Sequence, residues 1–342
     1  MKTILVTGGA GFIASNFIEF VFNLTSDYRI IVLDALTYAG NLDNFSDDIK
    51  GSDRFRFWYG NVTNAELVHE LVSQSDIVIH FAAESHVARS IYDNKMFFVT
   101  DVIGTQTVAN AVLKNQRTVD RFIHISTSEV YGTALSEPMN EDHPLNPCSP
   151  YASAKVGADR LVYSYWATYN IPAIIVRPFN QYGPRQHLEK VIPRFITCAL
   201  KNEPLTVHGD GSAQRDWLYV IDTCDRIYRV MEAPLSAVKG HVFNLGSGCC
   251  LDILSIAKMI LKMTQRSEDL ITFTGERPGQ VKKHISSTGK AEAVLGIRTG
   301  RPFEDGLATT IEWYRDNEEW WRKIEWMRNI EILNEQGEIE LH

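Results

Sequence analysis

Gly8-Gly9-Ala10-Gly11-Phe12-Ile13-Ala14 is the stretch that decides the fold. It follows an apolar, strand-like run at residues 2–7 and opens a helical one at residues 13–22. Glycines at such a junction let the backbone turn tightly and approach a pyrophosphate, which then sits on the N–H groups of the helix N-terminus. The glycine pattern gains its meaning from this strand–turn–helix setting. Ala14, at the third small position, still permits close helix–sheet packing. Gly8, Gly11, Phe12 and Ile13 are therefore the first cofactor candidates.

Outward from this turn, short β-rich runs alternate with helical ones. Strands are expected at residues 4–7, 30–33, 55–58, 77–81, 122–126 and 173–177, each a near-continuous apolar run of the kind buried on both faces. Helices are expected at 13–22, 65–72, 102–113 and 151–169. This alternation predicts an α/β fold: a Rossmann-type, doubly wound parallel sheet with a smaller C-terminal substrate-binding lobe. The expected division is an NAD-binding domain at 1–178, with a possible later strand from 242–245. A substrate lobe at 179–325 and a tail at 326–342 follow. Gly and Pro punctuate the lobe, with helices near 191–200 and 254–263, and the tail reads as a β-hairpin with a polar turn at 334–337.

The chain has 342 residues, enough for a large α/β domain and a smaller one. A net charge of -8 argues against non-specific nucleic-acid binding, yet a few local Arg residues suffice for phosphates. No apolar run approaches the ~20 residues of a membrane span, and the N-terminus enters a strand directly, so a cytoplasmic protein without a membrane partner is expected. The five cysteines are scattered and lack a C-x-x-C spacing, which suits a reducing compartment and neither a disulfide framework nor a metal site.

Asp34 ends the second strand run. A carboxylate there would accept hydrogen bonds from the adenosine ribose and repel a 2′-phosphate, which favours NAD over NADP. Tyr151-Ala152-Ser153-Ala154-Lys155 opens a long helix, and its i, i+4 spacing sets phenol and ammonium on one face. The ammonium and a positive nicotinamide ring are expected to lower the phenol's pKa, making Tyr151 a general base toward a hydroxyl. Ser126-Thr127-Ser128-Glu129 follows another strand end, where catalytic groups collect in open parallel sheets. Thr127 can bond the same hydroxyl, and Glu129 is the type of group that abstracts a proton beside a ketone.

At these residues the sequence resembles the extended short-chain dehydrogenase/reductase family, and most closely its dTDP-glucose 4,6-dehydratase branch. Beyond the motifs above, the resemblance rests on the segments 33–41, 80–87, Arg177-Pro178-Phe179-Asn180, 189–193 and 215–220. It implies that Ala35, Thr37, Asn61, Val62, Phe81, Ala82, Ala83, Ser85 and Thr100 line the NAD site with Tyr151 and Lys155. It implies a nucleotide-diphosphate sugar held by Ser85, His86, Asn180, Arg185, Lys190, Val191, Arg215, Asn244 and Arg277, and a homodimer formed by packing two helices per subunit. In the reaction it implies, Tyr151 takes the C4 hydroxyl proton, NAD takes the C4 hydride, Glu129 removes the C5 proton, water leaves from C6 and the hydride returns there.

Four departures fall near the sugar and nucleotide. Ser128 stands where this branch has Asp, Ala88 replaces another Asp, Asn61 replaces the Asp expected to contact adenine, and Gln280-Val281-Lys282 replaces His-Asp-Arg. A Ser hydroxyl is a poor proton donor, so either Glu129 shuttles the proton or another acid enters. The Ser-Glu pair also resembles UDP-N-acetylglucosamine 4,6-dehydratases and UDP-glucuronate decarboxylases. A decarboxylase, with Arg185 facing a C6 carboxylate, a 4-epimerase or a 5,6-dehydratase would begin with the same C4 oxidation. A non-catalytic NAD-binding protein would need neither the Tyr151/Lys155 pair nor Glu129.

Overall fold

The computed structural model describes residues 1–275, 281–297, 300–329, 331–333 and 339–341. Its strands in chain order are β1 (Lys2–Thr7), β2 (Tyr28–Asp34), β3 (Phe55–Tyr59), β4 (Ile77–His80), β5 (Arg121–Ile125), β6 (Ala173–Pro178), β7 (Asn180–Tyr182), β8 (Leu205–His208), β9 (Gln214–Tyr219), β10 (Val242–Leu245), β11 (Cys250–Asp252), β12 (Ile271–Thr274), β13 (Glu331–Leu333) and β14 (Ile339–Leu341). Seven form one parallel sheet in the order β10-β6-β5-β4-β1-β2-β3. The chain reverses direction across the sheet between β1 and β4, and that switch point opens a crevice above the carboxyl ends of the strands.

The apolar runs explain the sheet. Ile4, Leu5 and Val6 are fully buried, as are Val78 and Ile79, because helices cover both faces. One face packs Ile4 and Val6 with Phe17 and Val21 of helix Phe12–Leu24 and with Ile227 and Val230 of helix Val220–Glu232. The other packs Leu5, Val78 and Phe122 with Val68, Val108 and Val162. Helix Pro150–Tyr169 starts on Ser149, whose hydroxyl accepts from the Ala152 N–H, has Pro150 in its first turn and ends on left-handed Asn170.

The second lobe has its own core around Ile192, Phe195, Trp217, Ile256 and Tyr314. Strands β11, β9 and β7 form one small sheet, and β12 pairs with β8 in another. No single cut separates the two parts, because helix Val220–Glu232 and β10 return to the large sheet before β11 begins. At the tail β13 and β14 pair antiparallel, and the expected turn at 334–337 lies outside the described residues.

Helix segment Lys95–Lys114 differs from the sequence expectation. It is 20 residues long, with a mean hydropathy of 1.3 in its most apolar stretch, enough by length and composition to span a bilayer. Half of that stretch is buried, and it packs against helix Pro150–Tyr169. It is a core helix, interrupted by a π-helical stretch, Phe98–Gly104.

Candidate active site

A long cleft runs over the carboxyl ends of β1, β2 and β4. Its walls contain Gly8, Gly11, Phe12, Ile13, Asp34, Ala35, Thr37, Asn61, Val62, Phe81, Ala82, Ala83, Ser85, Thr100, Tyr151 and Lys155, so every residue expected at the cofactor faces one space. Gly8 has φ +68°, and a Cβ there would stand 2.6 Å from the Ala82 Cα, so the β1 turn can pass under the β4 turn only as glycine. Asp34 accepts hydrogen bonds from the N–H groups of Ala10 (2.9 Å) and Leu36 (2.7 Å). These fix the carboxylate at the cleft wall, while burial pushes its pKa upward. A glycine cradle at a helix N-terminus with a fixed carboxylate ending β2 fits NAD.

A second cleft adjoins the first and shares Phe12, Ile13, Ser85, Ile125, Ser126, Tyr151, Gln186, Glu189 and Lys190 with it. Thr127, Ser128, Glu129, Asn180, Val191, Arg215 and Trp217 line it further. Tyr151 lies on the seam, with Lys155 on the cofactor side and Glu129 on the other. The Tyr151 hydroxyl is hydrogen-bonded to Thr127. Thr127 also caps the short helix Ser128–Tyr131, its hydroxyl accepting from the Glu129 N–H at 3.2 Å. That turn depends on Gly132 at φ +66°, where a Cβ would collide with the Asn146 carbonyl oxygen.

The protein's own groups push the phenol upward, apart from any effect of a cationic nicotinamide ring. Burial raises the Tyr151 pKa, the negative charges of Asp101 and Glu129 add to the rise, and the Thr127 hydrogen bond opposes it. The Lys155 ammonium donates to the Ile125 carbonyl at 2.8 Å, and burial lowers its own pKa. Asp101, nearly fully buried in the π-helical stretch, supports the Lys155 charge, and its Oδ1 accepts from the Glu84 N–H at 2.8 Å. Its Oδ2 is buried without a hydrogen-bond partner.

The substrate candidates divide. Ser85, Asn180, Lys190, Val191 and Arg215 line the second cleft, and the Lys190 ammonium donates to the Ser85 carbonyl at 2.8 Å. Arg185 does not line it; its guanidinium pairs with Glu19 at 2.6 Å on the cofactor side. His86 is buried outside both clefts and caps helix Val87–Tyr92. Asn244 lines neither cleft: it is fully buried, its Oδ1 accepting from the Tyr131 hydroxyl (2.7 Å) and its amide donating to the Met139 carbonyl (3.1 Å). Arg277 lies outside the described residues.

Sequence reasoning missed Asp101, Trp217, Phe195 and His284. Trp217 lies inside the 215–220 segment that carries the resemblance but was given no role, and Phe195 carries no motif of its own. Asp101 and His284 carry no local pattern and become visible only where distant segments meet.

A nicotinamide cleft, a Tyr-x-x-x-Lys pair on its seam and an adjoining polar cleft define an extended short-chain dehydrogenase/reductase acting on nucleotide sugars. More narrowly, the chain belongs to the family of GDP-mannose 4,6 dehydratase, whose model matches residues 5–310. It is 43% identical over 317 residues to the low-salt glycan biosynthesis protein Agl12 of Haloferax volcanii, covering 92% of this chain and 99% of that one. It is 38% identical over 325 residues to dTDP-glucose 4,6-dehydratase of Streptomyces niveus, covering 94% and 95%. The dTDP-glucose 4,6-dehydratase of Streptomyces venezuelae, solved with NAD bound, superposes with a TM-score of 0.89 at 37% identity, covering 94% and 99%. UDP-glucuronic acid 4-epimerase of Bacillus cereus, solved with UDP-glucuronic acid and NAD, shares the fold at a TM-score of 0.86 and 30% identity, covering 92% and 99%.

Proposed function

We propose that this NAD-dependent nucleotide-sugar 4,6-dehydratase, a hydro-lyase, uses Tyr151 as the base at C4 and Glu129 as the proton carrier between C5 and C6 of a dTDP-hexose. The observation that carries this reading is the position of Tyr151 on the seam of the two clefts, bonded to Thr127, with Glu129 lining the sugar cleft beside it.

Bound in the first cleft, NAD supplies a hydride acceptor for C4 and a donor for C6. Tyr151 removes the C4 hydroxyl proton, and Thr127 holds the phenol oxygen during that transfer. Lys155 keeps two N–H donors beyond the one spent on Ile125, which suit the ribose hydroxyls of the cofactor. Glu129 removes the C5 proton once C4 is a ketone. Ser128 is buried and offers only a hydroxyl, so Glu129 also delivers the proton to the departing C6 oxygen. Arg215 and Lys190 serve the diphosphate, because both cations line the second cleft.

The dTDP-glucose relatives support thymidine as the nucleotide base. Pairing of Arg185 with Glu19, away from the sugar cleft, counts against a decarboxylase, which needs a cation facing a C6 carboxylate. The reading includes a homodimer and a cytoplasmic home, the latter supported by five unpaired cysteines.

Mass spectrometry of the protein incubated separately with dTDP-glucose, UDP-glucose, GDP-mannose, UDP-N-acetylglucosamine and UDP-glucuronate tests it. Loss of one water from dTDP-glucose, with deuterium entering C5 from solvent, is expected. Loss of carbon dioxide from UDP-glucuronate, or inversion at C4 without mass change, would overturn it.

A further inference from the structure

The segment carrying His284 is a fixed piece of the wall behind Glu129. The His284 N–H donates to the Gln214 carbonyl, and its carbonyl accepts from the Cys250 thiol. Ser286 is tied to the Asp216 carboxylate through both its N–H and its hydroxyl. Met139 bonds the same segment on the other side, through the Ile285 carbonyl and the Ser287 N–H. The imidazole is fully buried. Its Nε2 lies 2.6 Å from the Gly132 carbonyl oxygen, at the end of the turn that presents Glu129.

A carbonyl carries no proton, so Nε2 must donate, and a neutral ring then has its lone pair on Nδ1. Nδ1 is buried without a hydrogen-bond partner and stands 3.9 Å from Glu129 Oε1. Burial lowers the ring's pKa, with Arg215 and His143 lowering it too and Glu129 opposing. A buried acceptor aimed at a carboxylate is unsatisfied while that carboxylate is ionised. It becomes satisfied when the carboxyl takes a proton, since a turn of the Glu129 side chain can close the gap to about 2.8 Å.

We propose that His284 is a positioning residue for Glu129: its Nδ1 accepts a hydrogen bond from the Glu129 carboxyl once that group has taken the C5 proton, and holds it for delivery to the C6 oxygen. This rests on the assignment of Glu129 as the proton carrier. The step balances: the C5–H bond breaks, its proton goes to Glu129 and its electron pair to the enolate of the 4-ketone. That pair then expels the C6 oxygen, which takes the same proton from Glu129 and leaves as water. The imidazole neither gains nor loses a proton overall. It holds the protonated carboxyl in place, so the proton taken from C5 stays at hand for the C6 oxygen where Ser128 supplies none.

Two substitutions separate the ring's contacts. His284→Gln can keep the donor to Gly132 and loses the acceptor toward Glu129; His284→Asn keeps an oxygen near Nδ1 and loses the Gly132 contact. With dTDP-glucose, or UDP-glucose where the wild type prefers it, C4 oxidation is followed by the absorbance of reduced nicotinamide in a single turnover. Elimination is followed by mass loss and solvent deuterium at C5. His284→Gln is expected to leave C4 oxidation and KM within about twofold and to slow elimination at least roughly tenfold, with His284→Asn recovering part of it. Equal loss of both steps in His284→Gln, or wild-type elimination, would overturn the role of His284. Glu129→Gln is run alongside: if it eliminates at the wild-type rate, the base assignment falls and His284 falls with it. If it is blocked while His284→Gln is unaffected, only His284 falls.

Discussion

At the scale of single residues, the site is a set of buried ionisable groups held in unfavourable surroundings. Tyr151 is held above its ordinary pKa by burial, so the base role proposed for it requires the C4 hydroxyl and a cationic ring to meet it on the seam. Tyr151→Phe is expected to lower C4 oxidation at least about a hundredfold, read as reduced nicotinamide in a single turnover; retention of the signal would remove Tyr151 from its role. Asp101 offers a test by stability. Burial raises its pKa to about 7, so the folded chain holds this proton at pH values where the unfolded chain has released it. Stability from this group is then lost as pH rises from about 4 through the folded value. Asp101→Asn cannot titrate, so its stability relative to wild type should improve by at least about 1 kcal/mol between about pH 5 and about pH 8. Urea unfolding at the two pH values measures this, and a constant difference would show that Asp101 is not the titrating group.

Between elements, the link that holds the Tyr151 helix to the sheet is the pair of Asp159 and Arg177. Two parallel hydrogen bonds of 2.9 Å join them, both groups being almost fully buried, and the guanidinium also donates to the Tyr131 hydroxyl. Burial alone would raise the Asp159 pKa, but Arg177 and Arg160 outweigh it and hold it well below the usual carboxylate range. Its contribution is therefore complete above the unfolded value near ~3.9 and is lost as pH falls through the folded one. Asp159→Asn leaves Arg177 buried and unpaired, and should cost about 3–5 kcal/mol near neutrality and less near about pH 3. Denaturant unfolding at both pH values checks the sign. This helix was legible because the Tyr-x-x-x-Lys spacing marks its start, and β1, β4, β5 and β6 because burial on both faces writes an apolar run. Strands β7 and β11 were not, since three residues each leave no period to read. Of the cofactor wall, Gly8, Gly11 and Asp34 were readable because they sit at strand ends in local motifs, whereas Thr100, on a helix, entered only through the family resemblance. Asn244 shows the limit: a motif gives position along the chain, while packing against Tyr131 and Met139 decides where the side chain points. His284 meets Glu129 only through the tertiary fold.

For the whole molecule, the two helices nearest the chemistry also carry apolar side chains in solvent. Phe98 and Ile103 are 42% and 51% exposed on Lys95–Lys114, and Tyr163 and Tyr169 are 41% and 51% exposed on Pro150–Tyr169. Single exposed apolar residues are ordinary on a protein surface, but these share two helices packed on each other. A two-fold axis beside them would lay the same pair of helices from a second copy against the first, making a four-helix bundle with a self-complementary contact. The same helices hold Thr100, Tyr151 and Lys155 on their inner faces, so association would stiffen the wall on which the proton at C4 is taken. Ile103→Glu combined with Tyr163→Glu places like charges across such an axis. Light scattering on size-fractionated protein should then show the mass falling by half, with a lower thermal midpoint and weaker turnover in the monomer. A wild-type chain that runs at 38.8 kDa would exclude the bundle. A double variant that still runs as a dimer would move the contact to another face and release the catalytic helices from it.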